Sequence, residues 1–249
     1  MTNTTDFPKP LGFPQCARCA YVLIGTPQGC AACAAQTMKP LAANHCVICS
    51  QTLDGQGTAC RNIICGWDPA TRCFTRVDAI ALYSGYLETT LKRFKYDEGN
   101  KGWSIVFGRL IVGWLEAHQD EVTDIDLILG NPTAPGRSPL QHIEAIMAAA
   151  RNEDTVSRWP LSDPGQPILV KTRETPKSAG GRVNWQEKMT AAREHAEALD
   201  LRGSVEGKRI LLVDDVFTTG AQVHTVSKYL KTVGRASEVR GLVLARVSW

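Results

Sequence analysis

Eight of the nine cysteines fall before residue 66, in four close pairs: Cys16/Cys19, Cys30/Cys33, Cys46/Cys49 and Cys60/Cys65. The first three pairs are spaced C-x2-C and the last C-x4-C. A shift of thirty residues carries Cys16, Cys19 and Cys30 onto Cys46, Cys49 and Cys60, and Leu23 onto Leu53, so one small unit is repeated in tandem. A unit of about thirty residues cannot bury a useful core of its own, so its fold has to be organised by the thiols. A two-residue gap makes a tight knuckle that aims two thiolates at one ion, and two facing knuckles complete a tetrahedron. Sequential pairing is expected: Cys16, Cys19, Cys30 and Cys33 on one zinc ion, Cys46, Cys49, Cys60 and Cys65 on a second. A cross-braced pairing is the alternative. Closed four-cysteine shells leave no open position, so both ions are expected to be structural. His45, beside Cys46, reads as a bystander, and Cys73 as a small buried residue.

The opening residues Met1 to Pro14 are polar and proline-spotted, with no basic stretch leading into an apolar core. No apolar run approaches the ~18 residues that span a bilayer. A cytoplasmic protein is expected, a setting in which close cysteine pairs bind metal rather than form disulfides. Hydrophobic residues make up 43% of the chain, which excludes a disordered protein, and the net charge of +3 is too small to imply nucleic-acid binding by itself.

Beyond residue 76 the pattern changes, dividing the chain into a cysteine-rich part, 1–76, and an α/β part, 77–249. Strands are expected at Val77–Tyr83, Ile125–Leu129, Ile168–Val170, Arg209–Val213 and Val239–Val247. Helices are expected at Leu87–Tyr96, Trp103–His118, Ser138–Arg151 (serine cap, proline in the first turn), Trp185–Leu199 and Ala221–Val233, the last closed by Gly234. Alternating strands and helices imply a largely parallel sheet covered on both faces. Ligands then sit beyond the carboxyl ends of strands, here after Leu129, Val170 and Val213.

The run Ile210-Leu211-Leu212-Val213-Asp214-Asp215-Val216-Phe217-Thr218-Thr219-Gly220 is the most informative stretch. Four apolar residues form a buried strand, two carboxylates emerge at its end, and a Thr-Thr-Gly turn feeds a helix that begins Ala221-Gln222. Unpaired N–H groups and the positive end of the dipole at that helix start suit a phosphate. The carboxylates suit ribose hydroxyls or a hydrated Mg²⁺. The stretch resembles the phosphoribosyl-pyrophosphate signature of type I phosphoribosyltransferases, although Gln222 stands where that pattern has a small hydroxyl residue.

The order of features narrows the likeness. Tandem cysteine pairs, then Leu91-Lys92-Arg93-Phe94-Lys95-Tyr96, then the Asp-Asp-Thr-Thr-Gly run resemble the ComF family, strongly over 16–65, 80–96 and 208–234. That resemblance implies a double zinc ribbon ahead of a type I phosphoribosyltransferase fold, and an association with DNA uptake in natural competence. It also implies a pyrophosphate loop at Asn131, Pro132, Thr133 and Arg137, where the family's Arg-Gly-Phe-Asn stretch is absent. Lys171 and Arg173, with Arg182 and Asn184, fill part of a later family pattern that lacks its glutamine here. Ser178-Ala179-Gly180-Gly181 reads as a glycine-hinged segment.

Three functions are expected to compete. In the first, Asp214 and Asp215 hold the ribose, the 214–222 run holds the 5-phosphate, and Lys171 and Arg173 offset the charge on departing pyrophosphate. Phosphoribosyl then passes, with Mg²⁺, to an unidentified nitrogen acceptor. In the second, the same site binds phosphoribosyl pyrophosphate or a nucleotide as a signal without reaction. In the third, Lys92, Arg93, Lys95 and Lys101, beside Tyr96 and Trp103, grip single-stranded DNA. Protein partners are not legible.

Overall fold

The computed structural model describes residue 34 and residues 37–53, 59–176 and 184–248. Its main sheet has four strands, β1 (Val77–Leu82), β2 (Leu127–Gly130), β5 (Arg209–Phe217) and β6 (Glu238–Arg246). They lie in the order β1-β6-β5-β2, and every pairing is parallel. Alternation along β5 divides the core. Leu211 and Val213 face a large apolar cluster with the helices α2 (Gly85–Tyr96), α3 (Trp103–Ala117) and α5 (His142–Glu153). Ile210 and Leu212 face the opposite cluster, which takes in Val226 and Leu230 of α7 (Ala221–Thr232). The sheet is therefore covered on both faces, as its near-continuous apolar strands require.

α3 is buried on almost every side. Its Gly108 lies so close to α5 that a Cβ there would stand 2.5 Å from the backbone nitrogen of Ala150. The two short helices, α1 (Pro69–Arg72) and α4 (Gln119–Val122), flank β1 and β2 in sequence. α6 (Trp185–Glu197) packs on α7 through Met189, Ala192 and Ala221.

Four expectations are corrected. The strand expected to stop at Val213 runs on to Phe217, so Asp214 to Phe217 are strand residues and the turn proper is only Thr218–Gly220. The helix expected from Ser138 starts at His142; residues 134–141 form an irregular segment that buries Leu140 instead. The strand near 168–170 is β3 (Leu169–Lys171), outside the main sheet, where it pairs antiparallel with the unanticipated β4 (Leu199–Leu201). Cys73 is half-exposed and ends α1 in a left-handed conformation, φ 67°, rather than filling the core.

The described part of the cysteine-rich region docks along β1. Val77 N–H donates to Ile48 O at 2.8 Å, Ser50 Oγ to Val77 O at 2.9 Å, and Leu82 N–H to Lys39 O at 2.9 Å. Cys46, Cys49 and Ile64 share an apolar cluster with Val77, Phe217, Val223 and Val243. Among the described residues no helix is long and apolar enough to cross a membrane.

Candidate functional site: an acid pair, a glycine turn and a four-thiol cluster

Parallel pairing brings the carboxyl ends of β5 and β2 to one edge, with Gly130 opposite Val213. Asn131 follows directly, and its backbone N–H donates to Val213 O at 2.8 Å. Its side-chain Nδ2 donates to Asp214 Oδ2 at 2.8 Å, while Asp215 N–H donates to Asp214 Oδ1 at 2.8 Å. Two of about four lone-pair positions on Asp214 are thus used inside the protein. Asp215 is engaged through one oxygen: Lys95 Nζ of α2 forms an ion pair with Oδ2, and His142 Nε2 of α5 lies 2.7 Å from it.

Burial separates the two acids chemically. Burial, reinforced by the charge of Asp215, pushes Asp214 up to about 7. Burial would raise Asp215 too, but Lys95 and then His142 hold it well below the usual carboxylate range. The pair therefore carries one firm negative charge, on Asp215.

A second chain of contacts leads away from Asp214. Because Asn131 Nδ2 faces a carboxylate, its Oδ1 accepts, and His195 Nε2 lies 3.0 Å from it. His195 Nδ1 lies 3.0 Å from Lys171 Nζ, which also donates to Thr175 Oγ1 at 2.6 Å. Burial and then the Lys171 charge lower His195 to about 3, so the ring is neutral. The assignment that satisfies every atom has the proton on Nε2, donating to Asn131, and the lone pair on Nδ1, accepting from Lys171. Lys171 is lowered by burial first, then by the charges of Arg137 and Arg173, and Lys171 and Arg137 line one cleft. Arg137 also stacks over Tyr96, 5.8 Å from the ring centroid.

The turn that follows β5 has the shape its sequence implies. Gly220 caps α7 with φ 88°, and a Cβ there would stand 2.7 Å from Phe217 Cζ, so both backbone and space call for glycine. Thr218, Thr219 and Gln222 are half-exposed, and Val216 and Ala221 pack inward. The expected pyrophosphate loop is differently engaged. Thr133 N–H and Oγ1 both donate to the Glu144 carboxylate, at 2.8 and 2.6 Å, and Pro132 is buried. A cleft of about 1010 Å³ opens beside this loop, lined by Gly130, Pro132, Thr133, Arg137, Glu144 and Lys171 among others. The acid pair does not line it; Asn131 is the link between them.

This geometry bears on Mg²⁺. Asp214 and Asp215 are 9% and 5% exposed, and Asp215 already meets the Lys95 ammonium and the His142 ring, so the pair lacks the open, hydrated oxygen edge that Mg²⁺ prefers.

Of the eight expected zinc ligands, Cys16, Cys19, Cys30 and Cys33 lie outside the described residues. The other four converge: the sulfurs of Cys46, Cys49, Cys60 and Cys65 all lie within 4.8 Å of one another. Cys46 Sγ is 3.9 Å from Cys65 Sγ, and Cys49 Sγ is 3.7 Å from Cys60 Sγ. Four thiolates at the usual zinc–sulfur distance of ~2.3 Å around a tetrahedron stand ~3.8 Å apart, so the thiols fit such an ion. Each knuckle has the expected turn, with Ile48 N–H reaching Cys46 Sγ and Asn62 N–H reaching Cys60 Sγ, both at 3.4 Å. His45 stays outside, its Nδ1 2.7 Å from Ala42 O.

The residues expected to grip nucleic acid are largely occupied. Lys92 pairs with Glu88 and Lys101 with Glu98, each at 2.6 Å, and Lys95 is turned inward onto Asp215. Sequence reasoning missed His142, Glu144, His195 and Arg246, and misassigned Lys95. Only Lys95 carried a readable signal, since it falls four residues after Leu91 and eight after Leu87, on the inward stripe of α2. Comparison with known protein families gives no match for this chain, and comparison with curated proteins gives none either.

Proposed function

We propose that residues 77–249 form a type I phosphoribosyltransferase-type domain that binds phosphoribosyl pyrophosphate, behind a cysteine-rich part, 1–76, that holds zinc. The observation that carries the reading is the convergence at one sheet edge of the Asp214–Asp215 pair, the Gly220 turn at the start of α7, and Asn131 bonded to Asp214. On this reading the Thr218–Gln222 turn takes the 5-phosphate through backbone N–H groups. The remaining lone pairs of the acid pair accept from ribose hydroxyls. Arg137, Lys171 and Arg173 supply the positive charge that a pyrophosphate group needs. Any Mg²⁺ enters on the ligand's own oxygens rather than on the buried carboxylates. In transfer, the bond from C1′ to pyrophosphate oxygen breaks with its electron pair leaving on pyrophosphate, a C1′–N bond forms to the acceptor, and the acceptor nitrogen gives up a proton. The Cys46, Cys49, Cys60 and Cys65 thiols take one structural zinc, and Cys16, Cys19, Cys30 and Cys33 a second.

One observation favours a second reading, that the site binds its ligand without reaction. Glu144 already occupies the N–H and hydroxyl of Thr133, the groups a departing pyrophosphate would use. Calorimetric titration of zinc-loaded protein with phosphoribosyl pyrophosphate, with and without Mg²⁺, tests the common core. Magnesium-dependent binding is expected, and release of pyrophosphate with candidate acceptors separates the two readings. Absence of binding by folded protein refutes both.

A further inference from the structure

Arg246, the last residue of β6, is completely buried, and its guanidinium reaches in two directions. On one side Nε donates to Cys49 O at 2.7 Å and Nη2 lies 3.7 Å from Cys49 Sγ. On the other side Nη1 donates to Phe217 O at 3.2 Å and to Thr218 O at 2.9 Å, and also meets Val247 O. The guanidinium stacks over Phe217, 4.8 Å from the ring centroid. That ring is the one that would collide with any side chain at position 220.

The two carbonyls Arg246 holds belong to the peptide groups that open the Thr218–Gly220 turn. Neither peptide is cis. In a trans peptide the N–H points opposite to the C=O, so fixing the carbonyls of Phe217 and Thr218 sets the N–H groups of Thr218 and Thr219 on the far side of the turn. A cation on the carbonyl side also polarises both peptides, raising the positive potential on the N–H side. The four-thiol cluster supplies the matching charge. A zinc ion with four thiolates carries a net charge of −2 directly beside the guanidinium.

We propose that Arg246 is a positioning residue that couples metal occupancy at the Cys46–Cys65 cluster to the conformation of the Thr218–Gly220 turn. The proposal rests on the zinc and phosphate-turn readings above. With the ion bound, the anionic cluster holds the guanidinium in place, and the guanidinium holds the turn. With the ion removed, the four sulfurs are no longer held together beside the guanidinium and the turn loosens, although no zinc ligand lies in it. Coupling of this kind is reciprocal, so a phosphate ligand on the turn must in the same measure tighten retention of the metal.

Hydrogen exchange on the full-length chain tests the idea without requiring any ligand. Bound zinc is first quantified, and exchange is then compared between zinc-loaded and chelator-stripped protein for peptides spanning 215–224 and, as a remote reference, 103–117. In wild type, stripping is expected to speed exchange in the turn by about tenfold, within the usual range of inter-site coupling, and to leave the reference helix unchanged. In Arg246→Met the turn should exchange fast even with zinc bound, with no further change on stripping. Arg246→Lys keeps the charge but loses the fork, and should fall between. Equal protection of the turn with and without zinc overturns the coupling, as does a uniform rise across the chain or a fully protected turn in Arg246→Met. Failure to take up zinc overturns the metal reading together with the proposal. Loss of phosphoribosyl pyrophosphate binding alone leaves the exchange result standing and refutes only the ligand reading.

Discussion

Lys95 offers the sharpest test of the acid pair. Its ammonium is the main group that holds Asp215 ionised inside the protein, and the Asp215 side chain is only 7% exposed. Lys95→Met keeps most of the stem and removes the charge. Breaking a buried ion pair from one side costs about 3–5 kcal/mol, because the abandoned charge stays desolvated. His142 remains 2.7 Å from the same oxygen, so the expected loss lies at the lower end, about 3 kcal/mol. For a chain of this size that corresponds to a drop in Tm of about 6–12 °C. The assay is thermal unfolding followed by near-UV circular dichroism at pH 7.5 with zinc held constant. The sign of the pH dependence is fixed. In wild type Asp215 sits below its unfolded value of about 3.9, so its contribution is complete at neutral pH and is lost only in strong acid. In Lys95→Met burial is opposed by His142 alone, Asp215 rises, and the deficit relative to wild type narrows as the pH falls towards 5. Asp215→Asn in the same background should recover part of the loss, with a coupling energy of about 2–3 kcal/mol. A loss under about 1 kcal/mol with no pH dependence is what a solvated surface pair gives, and would refute the buried-charge argument.

Two further outcomes follow from the same geometry. Burial first, and then the Asp215 charge, raise Asp214 to about 7, so the folded state favours its protonated form and the cost of ionising it appears as pH climbs from about 4 through 7. Asp214→Asn should therefore gain about 1–3 kcal/mol relative to wild type between pH 5 and pH 8, measured by melts across that range; a constant difference contradicts the assignment. Glu144→Gln weakens the charge-assisted hold on Thr133, and affinity for inorganic pyrophosphate should rise about fivefold by calorimetry; unchanged affinity means that Glu144 does not compete for those donors.

Much of the α/β half was legible in the sequence because its signals are local. The apolar stripe of α2, the unbroken run of β5 and the Gly234 stop after α7 each reside in a few adjacent residues, and the structure departs from them by only a few positions at each end. The cluster of Cys46, Cys49, Cys60 and Cys65 was legible for the same reason, since a knuckle is a short-range motif. β3 and β4 were misread or missed because three-residue strands have no period, and what makes them strands is each other. The side chains that surround the acids were invisible for a related reason. His142 and His195 reach Asp215 and Asn131 across sequence separations that no spacing rule covers. Ser138-Pro139 has the form of a helix start, yet the first turn of α5 is set further along, where Glu144 can hold Thr133.

The strand that bears the acid pair lies inside the sheet, hydrogen-bonded to β2 on one side and to β6 on the other. Beyond Val213 only the β6 ladder continues, and there Phe217 seats in the apolar cluster of Val77 and Val243 while Lys95 and Asn131 hold the two acids. Asp214 and Asp215 are thus held in place by side chains from α2, α5 and the residue after β2, as well as by one strand partner. A ligand that reaches them meets a surface already set, and the irregular segment 134–141 forms part of the adjoining cleft.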